Sequence, residues 1–330
     1  MRVPDQIRNT VMFVRGEDDE EYRGTAFIVT VPGVNDNHFG FTVTARHVAE
    51  HLQGKNYLVR INKKDGTPVV MHGRADDPWW FHPTEKENVD AAVTLFAPAY
   101  MHLSQLEVEH IPIAMFADEK VIAAHNIGVG DEIFITGLFT KVQETTKNIP
   151  IIRTGTIAMM PGEKLPFGDA LIDAYLIESR SIGGLRGSPV FVRETLSISI
   201  VDPQELPVPE SGASAMLGSK HVQQLYGVAG RFYFLGSVIG HWDVPPGFTT
   251  TQREAVNMGV APIVPARKIK EIICQPELVK IMDNVNAEMK AKNQKGAKLD
   301  FADSEKKPFT KEDFEAALKK ASRKIEPPKS

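Results

Sequence analysis

The sequence predicts an all-β fold followed by C-terminal helices, and three observations carry that prediction. From Val11 to about Val201, short β-rich segments alternate with Gly, Asn and Asp turn residues, as in a barrel or sandwich. No long amphipathic helix alternates with those segments, which sets aside a doubly wound α/β arrangement. After Pro265 the apolar period becomes that of a helix.

Taken in order, the segments 25–29, 41–44, 57–61, 133–136 and 189–192 each read as a strand. Residues 202–219 are rich in Pro, Ser, Gly and Glu and are expected to form a surface loop. Strand signals return at 232–239 and 259–264. Ile269, Ile273, Leu278 and Ile281 then share a helical face, with Pro276 marking a break or a fresh helix start. Residues 288–307 are expected to be a flexible linker, being charged and poor in large apolar side chains. A last helix is expected over 311–325. Thr310 and Asp313 have capping-box spacing, Phe309 and Phe314 form a hydrophobic staple, and Phe314, Leu318, Ala321 and Ile325 make one stripe. That helix docks either on its own fold or on a partner protein.

A chain of 330 residues has room for two domains and a tail. Hydrophobic content of 42% with 24% charged residues is that of a soluble globular protein. The net charge of −4 offers no cationic surface for nucleic acid or an anionic membrane. No apolar run approaches the ~18 residues that a membrane span needs, and Met1 to Gln6 contains no apolar signal core. Cys274 is the only cysteine; it can form no intramolecular disulfide, and the expected compartment is the cytoplasm. Lying in the run Ile272-Ile273-Cys274, it is expected to be a buried, inert thiol. The histidines at 38, 47, 51, 72 and 82 lack cysteine or tight acidic companions at ligand spacing, and no glycine-rich phosphate loop is present, so neither metal nor cofactor is expected.

Three segments carry the candidate chemistry. A strand runs into Thr44-Ala45-Arg46-His47-Val48. Asp90 stands at the mouth of the apolar run Ala91 to Phe96, where a carboxylate is costly to bury unless paired; His47 is the natural partner. The third is Gly184-Leu185-Arg186-Gly187-Ser188-Pro189-Val190. These segments resemble the T-A-x-H, D-x-A-V and G-x-S-G-S-P-V motifs of chymotrypsin-fold (trypsin-like) serine peptidases of bacterial cytoplasmic type, in that family's chain order. Weaker similarity at 128–137, 153–157, 235–242 and 259–265 extends the resemblance over roughly residues 10–275. It implies two six-stranded antiparallel β-barrels. The first, over 1–115, would carry His47 and Asp90, and the second, over 116–275, the loop 184–189; a helical and linker tail fills 276–330.

The resemblance also implies roles. In that family a serine hydroxyl attacks, a histidine takes its proton and an aspartate fixes the histidine tautomer. His47 and Asp90 match the last two, but Arg186 stands at the nucleophile position, and a guanidinium has no nucleophilic atom. Gly184 matches the oxyanion glycine. Arg180 falls where the specificity pocket has its base, where a cation suits acidic side chains. Gly236 and Ser237 lie on the segment 235–240 that resembles the strand pairing with an extended substrate. If Arg186 points inward, it pairs with Asp90 or crowds His47. The expected function is therefore that of a disabled peptidase, acting by binding an extended peptide or protein partner, with the C-terminal helix as a second contact. The alternative is an active serine endopeptidase with Ser188 as nucleophile, His47 as base and Asp90 behind it, although Ser188 is expected to pack behind the loop. A structural subunit that ignores the cleft is a third reading.

Overall fold

The computed structural model describes residues 3–35, 37–96, 105–138, 147–179, 185–194, 231–240, 243–244, 256–257 and 259–296. Its strands fall into two main bodies. The first holds β1 (Val11–Gly16), β2 (Gly24–Pro32), β3 (His38–Thr44), β4 (Tyr57–Asn62), β5 (Pro68–Gly73), β6 (Trp80–Phe81), β7 (Ala92–Leu95) and β8 (His110–Pro112). They make one eight-stranded sheet in the order β5-β4-β1-β2-β3-β7-β6, with β8 running parallel to β2. The expected six-stranded first barrel is not what this pairing shows. The end strands β5 and β6 do not pair, because β6 is only two residues long and the ladder runs out. Side chains tie the β5–β6 connection back instead: the Tyr57 hydroxyl donates to Asp77 Oδ2 at 3.2 Å, and its ring stands 5.7 Å from that of Trp79.

The second body is a closed six-stranded barrel, as the sequence predicts. Its strands are β9 (Glu132–Leu138), β10 (Pro150–Met159), β13 (Tyr175–Glu178), β14 (Pro189–Arg193), β15 (Phe232–Val238) and β18 (Val260–Pro265), in the order β10-β13-β18-β15-β14-β9 with β9 returning to β10. A hairpin of β11 (Leu165–Phe167) and β12 (Ala170–Ile172) projects from it, and β16 (Asp243–Val244) pairs with β17 (Val256–Asn257). A large apolar cluster is shared by the two bodies. Phe234 of β15 is its hub, with the rings of Phe116, Phe27 and Phe191 at 4.8, 5.3 and 5.9 Å. Contact at this range adds about 0.5–1.5 kcal/mol per aromatic pair beyond area burial. Leu138 N–H also donates to Thr25 Oγ1 at 3.4 Å across the junction.

Two helices follow β18 among the described residues, and Pro276 begins the second. Ala266–Ile273 buries Ile269, Ile272 and Ile273, and Pro276–Gly296 buries Leu278, Ile281, Met282 and Val285 in the shared core. The second helix runs through the start of the expected linker, 288–296. Ala, Glu, Lys, Met and Gln are strong helix formers, and no Gly or Pro interrupts them before Gly296. Cys274 is likewise corrected: it caps the first helix and is exposed. Polar groups of the first helix reach both bodies. Lys268 meets Glu85 at 3.0 Å, Glu271 meets the buried His82 at 2.7 Å, and Lys270 meets Asp118 at 3.1 Å. Arg267 pairs with Asp173 and, at 3.2 Å, with Glu119. Among the described residues no helix is long and apolar enough to cross a membrane. The expected 202–219 loop and 311–325 helix lie outside the described residues.

Candidate active site

His47 is placed by the junction of β3 with the helix Arg46–Leu52. Buried Thr44 ends the strand and fixes its exit by donating from Oγ1 to the Thr25 carbonyl at 2.9 Å. The helix starts without a side-chain cap from Ala45, leaving first-turn N–H groups without intrahelical partners. Asp90 supplies one partner from a distant part of the chain: its Oδ1 accepts from the His47 backbone N–H at 3.2 Å. Both its oxygens also face His47 Nδ1, at 3.0 and 3.1 Å. One carboxylate therefore anchors the helix start and orients the imidazole. With Asp90 accepting at Nδ1, the neutral ring carries its proton there and leaves Nε2 as the basic nitrogen. The Asp90 side chain is 14% exposed and that of His47 40%, so the acid is shielded while the base faces the solvent. Sequence reasoning paired these two across 43 residues, and the structure brings them together.

The loop from the barrel arrives at the same place through glycine. Gly187 has φ +78, and a Cβ built on it would stand 2.7 Å from the Thr25 carbonyl oxygen and 3.1 Å from Ala45 N. No other residue fits so close to the strand that delivers His47. Its N–H donates to the Val238 carbonyl at 2.9 Å, and Ser188 N–H to the Leu185 carbonyl at 3.0 Å. Position 186 is thereby held against the first body: both its carbonyl oxygen and Val48 of the His47 helix lie within 4 Å of the Cβ position of Gly24.

Arg186 is exposed. Its guanidinium does not pair with Asp90, which is occupied by His47; it runs along Gly240, whose Cβ position is 3.7 Å from Nε and 3.8 Å from Nη2. Ser188 turns the other way. It is fully buried, its Oγ has no hydrogen-bond partner among the described residues, and a Cβ at Gly137 of β9 would stand 2.5 Å from it. Its hydroxyl thus faces the barrel wall. Gly236 and Ser237 are wall residues too. Gly236 pairs with Val190 on one side and Pro265 on the other, Ser237 with Pro189 and Val264, and Ser237 is fully buried. That part of β15 has no open edge for an added strand, which corrects the expectation that these two residues meet a substrate. Gly184 and Arg180 lie outside the described residues.

Sequence reasoning missed Phe167, whose Cζ is 3.3 Å from the Gly240 Cβ position that Arg186 Nε and Nη2 also approach. The available signal was Gly168-Asp169, a two-residue hairpin turn that places Phe167 at the end of β11. Among the described residues no three His, Cys, Asp or Glu gather as a metal site would require.

No protein-family model matches the sequence, and no curated protein matches it. Solved structures similar to the chain include the protease domain of MamO from Magnetospirillum magneticum in its apo form, at 14% identity and a TM-score of 0.42, covering 80% of this chain and 96% of that one. Another is Rv3671c from M. tuberculosis H37Rv in an inactive mutant form, at 14% identity and a TM-score of 0.38, covering 82% of this chain and 90% of that one. The inactive form of the Rv3671c protease is similar at 13% identity and a TM-score of 0.38, covering 82% and 89%.

Proposed function

We propose that this chain is a trypsin-like serine peptidase scaffold whose chemistry is disabled at position 186. In this reading it acts in the cytoplasm by binding an extended peptide or protein partner. The observation that supports it is the pairing of His47 Nδ1 with Asp90 at 3.0 and 3.1 Å while the adjacent loop presents an arginine. Such a pair prepares Nε2 to take a proton from a hydroxyl beside it. At 186 there is no hydroxyl to deprotonate, and Ser188, the nearest in sequence, faces Gly137. Loss of the nucleophile costs on the order of a million-fold in turnover, so binding is the activity left to the cleft. The partner's main chain would lie along the backbone beyond Val238, past the paired part of β15, and the 311–325 segment would supply a second contact.

Fluorophosphonate labelling tests this reading. The native protein should stay unlabelled, Arg186→Ser should label, and Arg186→Ser with His47→Ala should not. Labelling of the native chain at any serine would overturn it.

A further inference from the structure

We propose that the cleft at position 186 is a carboxylate site, in which Arg186 reads an acidic side chain or the free C-terminus of a bound peptide. The inference rests on the reading of 186 as a vacated nucleophile position in a peptide-binding cleft, and it adds the chemistry that cleft selects.

Arg186 has no counter-ion among the described residues. Other arginines of the chain meet one: Arg23 meets Asp19 at 3.1 Å, Arg46 meets Glu87 at 2.8 Å and Arg193 meets Glu132 at 3.3 Å. The nearest acid in functional terms, Asp90, already accepts from the ring and backbone of His47. Arg186 is thus an exposed cation with no acid of its own, while the Asp90 carboxylate is committed to His47.

Its surroundings favour an anion from outside. Arg186 Nε and Nη2 lie 3.7 and 3.8 Å from the Cβ position of buried Gly240, and Phe167 Cζ lies 3.3 Å from that position. Gly240 offers no side chain there, and Arg186 itself is exposed to solvent. A carboxylate arriving there can meet two parallel N–H donors of the fork, and such charge-assisted pairs are shorter and stronger than neutral ones. Gly187 pins the root of the side chain against Thr25 and Ala45, so the fork is presented from a fixed backbone. His47 Nε2 has no partner among the described residues, and the backbone of 186 and Val48 of the His47 helix both lie within 4 Å of the Gly24 Cβ position.

An NMR titration of the full chain tests the proposal with three unlabelled alanine peptides of equal length. One ends in a free carboxylate, one is amidated, and one is amidated with a central glutamate. The His47 ring signals report binding in native and Arg186→Gln proteins alike, and the Arg186 Nε–H signal is identified by its loss in that variant. At least one acidic peptide should give a saturable shift with a Kd at least about tenfold below that of the neutral amide, and Arg186→Gln should erase the difference. Preference for the free-carboxylate peptide alone assigns a C-terminus reader; preference for the glutamate peptide alone assigns a side-chain reader. Equal binding of all three, no saturable shift, or a preference that survives Arg186→Gln overturns the carboxylate site. The labelling experiment fails independently. An Arg186→Ser protein that labels while acidic and neutral peptides bind alike removes this inference and leaves the disabled-peptidase reading standing; the converse result does the reverse.

Discussion

In the barrel spanning 132–265 every strand has a hydrogen-bonded neighbour on both sides. In the sheet spanning 11–112 the ladder ends at β5 and β6, and Tyr57, Asp77 and Trp79 hold the connection between them. The two forms of closure leave different room for change. Where barrel strands close, backbone meets backbone: a Cβ at Gly155 would stand 2.1 Å from the Glu178 carbonyl oxygen, and one at Gly236 1.9 Å from that of Val264. In the open sheet the comparable contact at Gly73 is with the ring of Tyr57, a side chain rather than a ladder. The candidate site draws one component from each body, the His47–Asp90 pair from the sheet and the 185–189 loop from the barrel. In the proposed reading only the side chain at 186 separates this site from a peptidase's, and the backbone of Gly187 and Ser188 is hydrogen-bonded to Val238 and Leu185.

The most damaging way to test that contrast is Gly236→Ala. The residue sits at φ +153, where the β14–β15 register shifts, and strain combined with a backbone clash should cost about 3–5 kcal/mol. Urea unfolding should show it as a large fall in midpoint. A loss below about 1 kcal/mol would mean that the barrel is as accommodating as the sheet.

Much of this was legible in the sequence. Each predicted strand falls on an observed one and overruns its ends by no more than a residue, because Val, Ile, Phe and Thr runs between turn residues are local signals. The His47–Asp90 pair was legible because a carboxylate at the mouth of an apolar strand needs a partner. The open edge was not, since closure depends on whether distant strands meet, and Trp80-Phe81 does not announce that its ladder stops after two residues. The parallel pairing of β8 with β2 is likewise non-local. Gly236 read as a substrate contact because the motif shows a strand but not which of its edges are occupied. The helix from Pro276 hid its last turns behind lysines, which composition reads as linker although they are good helix formers.

A smaller effect is expected where the two bodies meet. Gly187→Ala, made in the Arg186→Ser protein, puts a methyl group 2.7 Å from the Thr25 carbonyl in a left-handed conformation. The strain is of order 1–3 kcal/mol, and the loop is expected to relieve part of it by moving away from Ala45. Fluorophosphonate labelling should then slow by about 100-fold, the cost of a displacement near 1 Å, while the protein remains folded. Unchanged labelling would show that Gly187 does not set the distance between the halves of the site.

The smallest expected effect concerns the helix that follows the barrel and reaches back to the sheet. Lys268 donates to Glu85 at 3.0 Å and holds its carboxyl below the usual carboxylate range. A carboxyl whose pKa falls on folding contributes stability above its unfolded value, near ~4.3, and loses it as pH drops through the lower folded value. Glu85→Gln should therefore cost roughly 0.5–1 kcal/mol at neutral pH, as a partly exposed pair does, and the two proteins should converge near pH 3. Urea unfolding across that range checks the sign, since a gap that persists in acid would assign the loss to packing rather than charge. Probes placed separately in sheet and barrel sharpen the comparison further. If both midpoints fall together, the helix couples the open and closed bodies into one unfolding unit; if only the sheet responds, the barrel stands alone and the site's loop outlasts its base.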